Sequence, residues 1–312
     1  MTEQSVRINS NLRIGILRHI AQGNGETRLM ETANERGHTI ELINPFSVTL
    51  DLNPTSEYDV IISRAEINAF TSEEMDAYLR VIEYYRNQGV PVINSGEAIL
   101  NAQDKFRTHA LAAQRNIRTP STFLAYGLTD VRSLITSNRM TFPCVLKNPY
   151  GGRGEGIFLA RNHNQLSNAI RRNFNNLNPV LVQEFIASES NDAGGQRDMR
   201  IWVCRNPSTN RAQFIGGIYR NARHGTFLTN ISQQGYRTPI EQYPEDIQRV
   251  SEEALEAIGA DVAGIDLMRD RQGNIYLLEI NICFDIGVGA EKLIGENIWE
   301  YVIDLVEARV RT

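Results

Sequence analysis

The first part of the chain alternates short apolar runs with longer helical stretches, and this alternation restricts the folds open to it. Apolar runs of strand length occur at Leu12–Leu17, Thr39–Ile43, Tyr58–Ile62 and Val90–Ile93. Helices are predicted between them, and one of these begins at Thr71, which with Glu74 has the spacing of a capping box. Strands that alternate with helices form a parallel sheet covered on both faces. We therefore predict a doubly wound α/β domain over residues 1–97.

The remainder of the chain has a less regular, α+β pattern. No internal repeat or low-complexity tract interrupts it, so a long linker is not expected. The 312 residues allow roughly two domains. Predicted strands cover residues 142–146, 157–160, 179–186, 199–204, 213–219, 262–267 and 275–280, and predicted helices cover 103–115, 165–175, 244–258 and 298–308.

Composition argues against several classes of protein. The net charge of -5 gives no support to a nucleic-acid partner, which normally needs a basic face. No apolar run approaches the roughly 20 residues of a membrane-spanning helix, and residues 1–11 lack the apolar core of a signal peptide. The 3 cysteines are far apart, which indicates neither a disulfide framework nor a metal site. We expect a cytoplasmic protein without nucleic-acid or membrane partners.

A carboxylate interrupts an apolar run in the C-terminal part. Asp266 lies within Val262–Leu267, and a carboxylate among buried neighbours is costly unless it is paired or binds a metal. Glu279 and Asn281 end another predicted strand two residues apart, so their side chains share one face. A hairpin turn at Gly273 would bring Asp266 toward them. Two carboxylates and an amide oxygen suit Mg²⁺, while the alternative is that Asp266 caps a turn and Glu279 faces solvent.

A glycine-rich segment follows Lys147 at the end of a predicted strand. The backbone amides of such a loop can close over phosphates while the lysine supplies a point charge. The segment is not a Walker A loop, because no Gly-Lys-Ser/Thr follows, and β-type residues after it argue against a dinucleotide fingerprint. A glycine-rich hairpin without a ligand is the alternative. The candidate loop residues are Gly152, Arg153 and Gly154.

Further candidates lie in apolar or strand-like surroundings. Residues Gln183, Glu184, Phe185 and Ile186 continue an apolar strand whose backbone could bond a purine edge, although a plain core strand is the alternative. Arg200 shares a strand face with Asp198, and arginines in such places can hold phosphate or carboxylate, with surface salt bridges as the alternative. Candidate cations are Lys105, Arg200, Arg220 and Arg223, and Arg18, Arg64 and Glu66 near N-terminal strand ends are acceptor candidates or surface charges.

The order of these segments resembles the ATP-grasp superfamily, and within it the RimK-type branch that attaches amino acids such as glutamate to carboxylates. The resemblance runs from about residue 12 to residue 307 and is most specific over 98–281. It implies a central ATP-grasp subdomain with a lid loop over 98–186 and a C-terminal subdomain, a mixed sheet with helices, over 187–312. The matching segments are Asp104-Lys105-Phe106-Arg107, Val145-Leu146-Lys147, Val182-Gln183-Glu184-Phe185, Asp198-Met199-Arg200, Asn230, Asp266 and Glu279-Ile280-Asn281.

The resemblance implies a role for each matching position. The phosphates of ATP would be bound by Lys105 and Lys147, and the lid over them would be formed by Gly152, Arg153 and Gly154. The adenine would be surrounded by Gln183, Glu184, Phe185 and Ile186. Two further residues, Asp198 and Asn230, would also bind ATP. Arg200 and Arg220 would face the phosphate or acyl group, and Asp266, Glu279 and Asn281 would hold Mg²⁺, or Mn²⁺ in its place. The implied reaction is ADP-forming amide synthesis through an acyl phosphate, on small-molecule, amino-acid or peptide substrates, by a protein that is either a monomer or a homo-oligomer.

Two departures from the family pattern fall where substrate is held. RimK-type ligases continue the metal motif as Asn-x-Ser-Pro-Gly, whereas this chain has Cys283 and Phe284 at the serine and proline positions. The family's Arg-Ser-Asn is Leu228-Thr229-Asn230, which lacks the cation. These departures put glutamate in question as the added amino acid. A non-catalytic ATP-binding module and a small-molecule kinase are the alternative functions.

Overall fold

The structure is a computed structural model, and the residues that it describes form three β-sheets, each from a continuous part of the chain. None of the helices in the described part has the length and apolar character needed to cross a membrane. The described residues are 11–19, 23–52, 55–64, 66, 70–150, 156–174, 178–190, 194–223, 226–229, 235–284, 286 and 288–311.

The N-terminal sheet is parallel throughout, with strand order β2-β1-β3-β4. The Thr71 hydroxyl accepts a hydrogen bond from the Glu74 amide and the Glu74 carboxylate accepts one from the Thr71 amide, which confirms the capping box. The doubly wound α/β prediction is therefore confirmed for this part of the chain. The elements are β1 (Arg13–Leu17), α1 (Asn24–Glu35), β2 (Thr39–Ile43), β3 (Val60–Ser63), α2 (Ser72–Asn87) and β4 (Val92–Ile93).

The middle sheet has four strands in the order β5-β8-β6-β7, and their pairing is antiparallel. The helix expected over residues 103–115 is confirmed as α4, which begins at Lys105 because Asp104 has an extended backbone and its side chain caps the helix through the Phe106 and Arg107 amides. The elements are α3 (Gly96–Gln103), α4 (Lys105–Gln114), β5 (Thr122–Tyr126), α5 (Gly127–Thr136), β6 (Cys144–Lys147), β7 (Phe158–Ala160), α6 (His163–Asn173) and β8 (Pro179–Glu184).

The C-terminal sheet has five strands in the order β11-β10-β9-β12-β13, with antiparallel pairing. Gly273, at φ +86°, forms the turn between β12 and β13, which confirms the predicted hairpin. Gly259 adopts the left-handed conformation that ends α7. The elements are β9 (Arg197–Arg205), β10 (Ala212–Asn221), β11 (Tyr236–Pro239), α7 (Glu245–Ile258), β12 (Val262–Arg269), β13 (Ile275–Asn281), α8 (Val288–Ile294) and α9 (Ile298–Arg311).

The N-terminal and C-terminal sheets share buried cores. Ile14 and Ile62 belong to the same hydrophobic cluster as Trp202 and Trp299. The Asn94 amide extends this contact, because its nitrogen donates to the Val262 carbonyl and its oxygen accepts from the Val262 amide. The middle sheet has a core of its own. The division at residues 97 and 186 remains our proposal for the domain boundaries.

Candidate functional site

The C-terminal sheet places Asp266 between two other candidate residues. In the β-ladders, Asp266 on β12 lies opposite Arg200 on β9 and opposite Glu279 on β13. Asp266 is 3% exposed. It lies within a strand and not at a turn, so the interpretation of Asp266 as a turn cap is wrong.

A compact network of charges surrounds the Asp266 carboxylate. Its oxygens accept hydrogen bonds from Nε and Nη2 of Arg200, and from Nη2 of Arg220 at 3.0 Å. Arg220 also makes a bidentate pair with Asp198, at 2.7 and 2.8 Å. Arg200 and Arg220 are largely buried within this network, so the alternative of surface salt bridges is wrong for both.

The arginines dominate the electrostatics of this network. Burial on its own would raise the pKa of Asp266, but the nearby Arg200 and Arg220 guanidiniums outweigh it and hold that pKa below its ordinary value. The pKa of Arg220 is raised, because the charges of Asp198 and Asp266 outweigh its own burial. The carboxylate of Asp266 and the guanidinium of Arg220 are therefore charged at neutral pH.

Glu279 and Asn281 complete a group of oxygen donors. The Asn281 side-chain nitrogen donates to Asp266 Oδ2 at 3.3 Å, and Glu279 Oε1 lies 3.4 Å from Lys105 Nζ. The Glu279 side chain is 23% exposed, with this lysine beside it. No set of three His, Cys, Asp or Glu residues suited to a metal occurs in the described ranges. Two carboxylates plus the Asn281 amide fit a hard cation such as Mg²⁺ by donor type.

Both candidate lysines lie at this group. Lys105 begins α4 and is 6% exposed. Lys147 ends β6, and its Nζ donates to Gln183 Oε1 at 2.6 Å. Burial lowers the pKa of Lys147 to about 8, and although the Glu279 charge opposes this shift, the Lys105 charge adds to it.

A cavity of about 690 Å³ adjoins these charges. One part of its wall is polar and includes Lys147, Asp198, Arg220, Asp266 and Glu279. A concave site with an apolar wall and a few polar groups is typical of a small-molecule site. Its apolar lining includes Val145, Ile157, Phe185, Ile186, Phe227, Leu228, Met268 and Leu278.

Comparison with known proteins places the chain in a family. A profile of the RimK-like ATP-grasp domain matches residues 102–306. The chain belongs to the RimK-like ATP-grasp family. A Haemophilus influenzae protein named probable alpha-L-glutamate ligase is 28% identical over 299 residues, covering 90% of this chain and 92% of that protein. A Coxiella burnetii protein of the same name is 27% identical over 313 residues, covering 96% and 97%.

Solved ATP-grasp structures share the fold. D-alanyl-alanine synthetase A from Vibrio cholerae superposes with a TM-score of 0.70 at 14% identity, covering 98% of this chain and 100% of that one. The ATP-grasp ligase PsnB, complexed with a minimal precursor, superposes with a TM-score of 0.68 at 16% identity, covering 95% and 99%. The predicted ATP-grasp fold is thereby confirmed. The chain is an ATP-grasp ligase, of a family that uses ATP and Mg²⁺ to form carbon–nitrogen bonds with release of ADP.

Some family positions fall outside the cavity or outside the described residues. Lys105, Arg200 and Asn281 are not among the residues that line the cavity. The Glu184 amide donates to the Ser121 carbonyl at 2.9 Å, so that amide is part of the sheet and is not available to a purine. Predicted residues Gly152, Arg153, Gly154 and Asn230 lie outside the described residues.

Three further polar residues contact the site, and only Thr229 has a signal in the sequence, as part of the family segment 228–230. The Thr229 hydroxyl donates to Asp198 and so occupies the polar wall at a position where the ATP-grasp family pattern has serine. His109 and Thr122 contact Gln183 from α4 and β5. His109 is a lone histidine in a helix, and β5 was not predicted, so only the fold reveals their proximity.

The N-terminal acceptor candidates are part of a buried ionic cluster. Arg18 and Arg64 follow β1 and β3, and both donate to Glu26 Oε1 at 2.7 Å. Their side chains are 6% and 4% exposed, so the interpretation of both as surface charges is wrong. Glu66 lies 3.7 Å from Arg18 and is 27% exposed. The cluster closes the carboxyl-terminal edge of the N-terminal sheet.

The family departure at residues 283 and 284 lies against this cluster. The Phe284 ring is 1% exposed and stacks on Trp299 at 5.5 Å. The Phe284 side chain is therefore part of the core, and it is not among the residues that line the cavity. The Cys283 thiol donates to the Arg64 carbonyl at 3.2 Å, and burial raises its pKa, so it is not an activated nucleophile.

Proposed function

We propose that this chain binds ATP and Mg²⁺ in the described cavity and joins an amine to a carboxylate through an acyl-phosphate intermediate. The observation that carries the proposal is the convergence of Lys147, Arg220, Asp266 and Glu279 on one polar wall beside an apolar slot. Phosphoryl transfer depends on positioning and on charge neutralisation more than on a protein nucleophile. The inventory of the site matches that requirement.

The nucleotide would lie with its base against the apolar lining. Phe185 and Phe227 form an edge-to-face pair at 6.4 Å on that side, and Met268 and Leu278 add apolar surface. The phosphates would then reach Lys147 at the polar wall, with Lys105 beside Glu279. Gly152, Arg153 and Gly154 are proposed to cover the phosphates, while Asp198 and Asn230 would lie near them. Gln183, Glu184 and Ile186 would border the adenine.

The metal ion would be held by Asp266, Glu279 and Asn281. Asp266 and Glu279 face each other across a ladder position, which places two carboxylates on one side of the sheet. Held by these residues, Mg²⁺ would neutralise negative charge on the phosphates. Mn²⁺ accepts the same oxygen ligands and is the expected substitute.

The proposed amide synthesis has two steps. A carboxylate oxygen of the first substrate attacks the γ-phosphorus, and the bond from that phosphorus to the ADP oxygen breaks. The amine nitrogen then attacks the acyl carbon, inorganic phosphate leaves, and the nitrogen loses a proton. Arg200 and Arg220 would stabilise the phosphoryl and acyl oxygens, because guanidinium groups bind such oxygens in a bidentate manner. We propose that the carboxylate belongs to a small molecule, peptide or protein and that the amine belongs to an amino acid or another amine.

Product analysis tests the ligase proposal. The purified protein is incubated with ATP, Mg²⁺ and a panel of amino acids and peptides that includes glutamate, because the relatives are named alpha-L-glutamate ligases. ADP release is followed, and the products are analysed by mass spectrometry. An amide product supports the proposal, whereas a stable phosphorylated product indicates a kinase. ATP binding without turnover on any substrate pair indicates a non-catalytic module.

Hydroxylamine provides a second test of the intermediate. It attacks an acyl phosphate at carbon and gives a hydroxamate, whereas a phosphorylated hydroxyl group does not react in this way. With the productive carboxylate and no amine, we expect ATP-dependent hydroxamate. Glu279→Gln should abolish it, and Arg80→Gln, on the exposed face of α2, should retain it. Full hydroxamate formation by Glu279→Gln would contradict the metal assignment.

A further inference from the structure

His109 is a buried imidazole beside the polar wall, and both of its ring nitrogens have partners. It lies on α4 and is 4% exposed. Nε2 lies 3.1 Å from the Leu278 carbonyl oxygen, and Nδ1 lies 3.4 Å from Gln183 Nε2. A carbonyl only accepts hydrogen bonds, so Nε2 must carry the proton. In a neutral ring Nδ1 is then an acceptor, which matches the donor character of the Gln183 amide nitrogen.

Thr122 fixes the orientation of the same amide. Its hydroxyl lies 2.7 Å from the Pro120 carbonyl and 3.1 Å from His109 Nδ1, and both of these partners can only accept. The single hydroxyl proton therefore points to one of them, and Thr122 Oγ1 must accept from Gln183 Nε2 at 2.8 Å. The Gln183 side-chain oxygen is then directed to the other side. There it accepts from Lys147 Nζ at 2.6 Å.

The other ring nitrogen of His109 holds the strand that carries the metal candidates. Leu278 directly precedes Glu279, whose carboxylate lies 3.4 Å from Lys105 at the start of the same helix α4. His109 is one helical turn after Lys105 on that helix. One imidazole thus connects α4, the Gln183 amide of β8 and the main chain of β13.

We propose that His109 is a positioning residue that sets the place of Lys147 relative to Glu279, and with it the spacing between the phosphate and metal contacts. This inference rests on the proposed function of the site. His109 touches no reacting group; it acts through Gln183 on one side and through Leu278 on the other. Neither role follows from the order of family segments.

The consequence of losing His109 is local. The backbone of β8 is held by ladders to β5 and β6, and the Leu277 amide is held by the Arg118 carbonyl at 2.9 Å. The strands therefore keep their places without His109. The Gln183 amide, however, loses one of the two acceptors that orient it. A rotated amide would present its NH₂ group to the Lys147 ammonium, and that contact is repulsive.

The direct test measures nucleotide binding by calorimetry on the full chain, with a non-hydrolysable ATP analogue in Mg²⁺ and with adenosine as separate ligands. For His109→Phe we expect the analogue to bind about 10-fold to 100-fold more weakly, the range seen when a group that orients a metal or phosphate ligand is removed. Adenosine should bind as it does to the unaltered protein, because it makes no contact through phosphates. Equal loss for both ligands, or no loss for either, overturns the inference.

His38 supplies the matched control. It is a buried imidazole in the N-terminal part, 6% exposed, with the Leu12 amide 3.4 Å from Nδ1 and Glu307 3.0 Å from Nε2. His38→Phe removes a comparable pair of contacts, so it should lower the melting temperature without weakening the binding of the ATP analogue. If His38→Phe lowers the affinity for the ATP analogue as much as His109→Phe does, the effect reflects a general loss of stability and the inference fails.

Two milder variants keep the test valid if His109→Phe does not fold. His109→Gln places an amide nitrogen near Nε2 and can still bond the Leu278 carbonyl, so we expect partial recovery of analogue affinity. Thr122→Val removes the hydroxyl acceptor and should weaken the binding of the ATP analogue but not the binding of adenosine. Unchanged analogue affinity in both variants contradicts the proposed role. Failure of the unaltered protein to bind the analogue would instead refute the proposed function.

Discussion

Replacing Asp266 with asparagine separates two roles that this carboxylate can have. In the structure it is the shared counter-ion of Arg200 and Arg220, and its side chain is 4% exposed. Asparagine has nearly the same volume, so Asp266→Asn removes the charge without leaving a cavity. Removing one partner of a buried ion pair costs roughly 3–5 kcal/mol, since it leaves an uncompensated charge.

The lower end of that range applies here. Arg220 retains its bidentate pair with Asp198, and the Arg200 side chain is 16% exposed, so water can solvate part of it. We therefore expect the free energy of unfolding to fall by about 3 kcal/mol. At about 2–4 °C per kcal/mol for domains of 150–250 residues, the melting temperature should fall by roughly 6–12 °C.

Glu279→Gln is the matched control for this measurement. Its side chain is 23% exposed, and the ion pair that it makes with Lys105 within the described residues is at 3.4 Å, so the loss of stability should be less than about 1 kcal/mol. Both variants should lose Mg²⁺-dependent binding of the nucleotide analogue. Urea unfolding gives the free energy of unfolding of each variant. We expect Asp266→Asn to be destabilised more than Glu279→Gln, while both lose the Mg²⁺ dependence of analogue binding equally. Equal stability of the two variants would refute the assignment of Asp266 as the counter-ion.

The pH dependence of stability gives an independent check on the same reasoning. Because the arginines hold the pKa of Asp266 below the ordinary value of 3.8, its contribution is fully present above that value. The contribution is lost as pH falls through the lower pKa of the folded state. The difference in stability between the unaltered protein and Asp266→Asn should therefore shrink in acid. A difference that stays constant to pH 2 would contradict this account.

Two further predictions follow from buried charges. Burial lowers the pKa of Lys147 to about 8, and contact with phosphate needs the protonated lysine, so the affinity for the ATP analogue should fall as pH rises from 7 to 9.5. Lys147→Arg should largely remove this pH dependence, whereas a pH-independent affinity in the unaltered protein would contradict the prediction. Glu26 is the counter-ion of Arg18 and Arg64, because its Oε1 accepts hydrogen bonds from both. Glu26→Gln should therefore lower the free energy of unfolding, measured by urea titration, by roughly 3–5 kcal/mol, and a loss below about 1 kcal/mol would argue against this role.

Local signals in the sequence predicted local features of the fold. The alternation of strands and helices predicted the parallel N-terminal sheet, and Thr71 with Glu74 predicted the start of α2. The turn at Gly273 predicted the hairpin of β12 and β13, but it was not sufficient to pair Asp266 with Glu279. The ladder shifts register between Leu267 and Asp266, and this irregularity brings Glu279 opposite Asp266. These predictions depend only on residues that are close in sequence.

Strand order was not predictable in the same way. Arg220 reaches Asp266 because β10, β9 and β12 are consecutive in the sheet, and no local pattern encodes that order. His109 meets Leu278 across a separation of 169 residues, and a lone histidine in a helix gives no sign of such a partner. The helix α3 was not predicted, and Asp104 ends it because its side chain caps α4 in competition with helix continuation.

The departure from the family pattern at residues 283 and 284 has a different consequence from the one that the sequence suggested. A bulky side chain after the metal motif predicted a changed acceptor pocket. The Phe284 ring instead stacks on Trp299, and its carbonyl accepts from Arg64 Nη2 at 2.7 Å. Cys283 donates to the Arg64 carbonyl, so it supplies the hydrogen-bond donor that a serine would supply there.

Residues 283 and 284 therefore join the C-terminal sheet to the ionic cluster of Arg18, Glu26 and Arg64. The guanidinium of Arg64 lies 5.4 Å from the Phe284 ring centroid and 4.9 Å from that of Trp299, so aromatic side chains face this cation where the family pattern has proline. The departure changes how two parts of the protein pack against each other. It gives no steric reason against glutamate as the added amino acid, which is why glutamate belongs in the substrate panel.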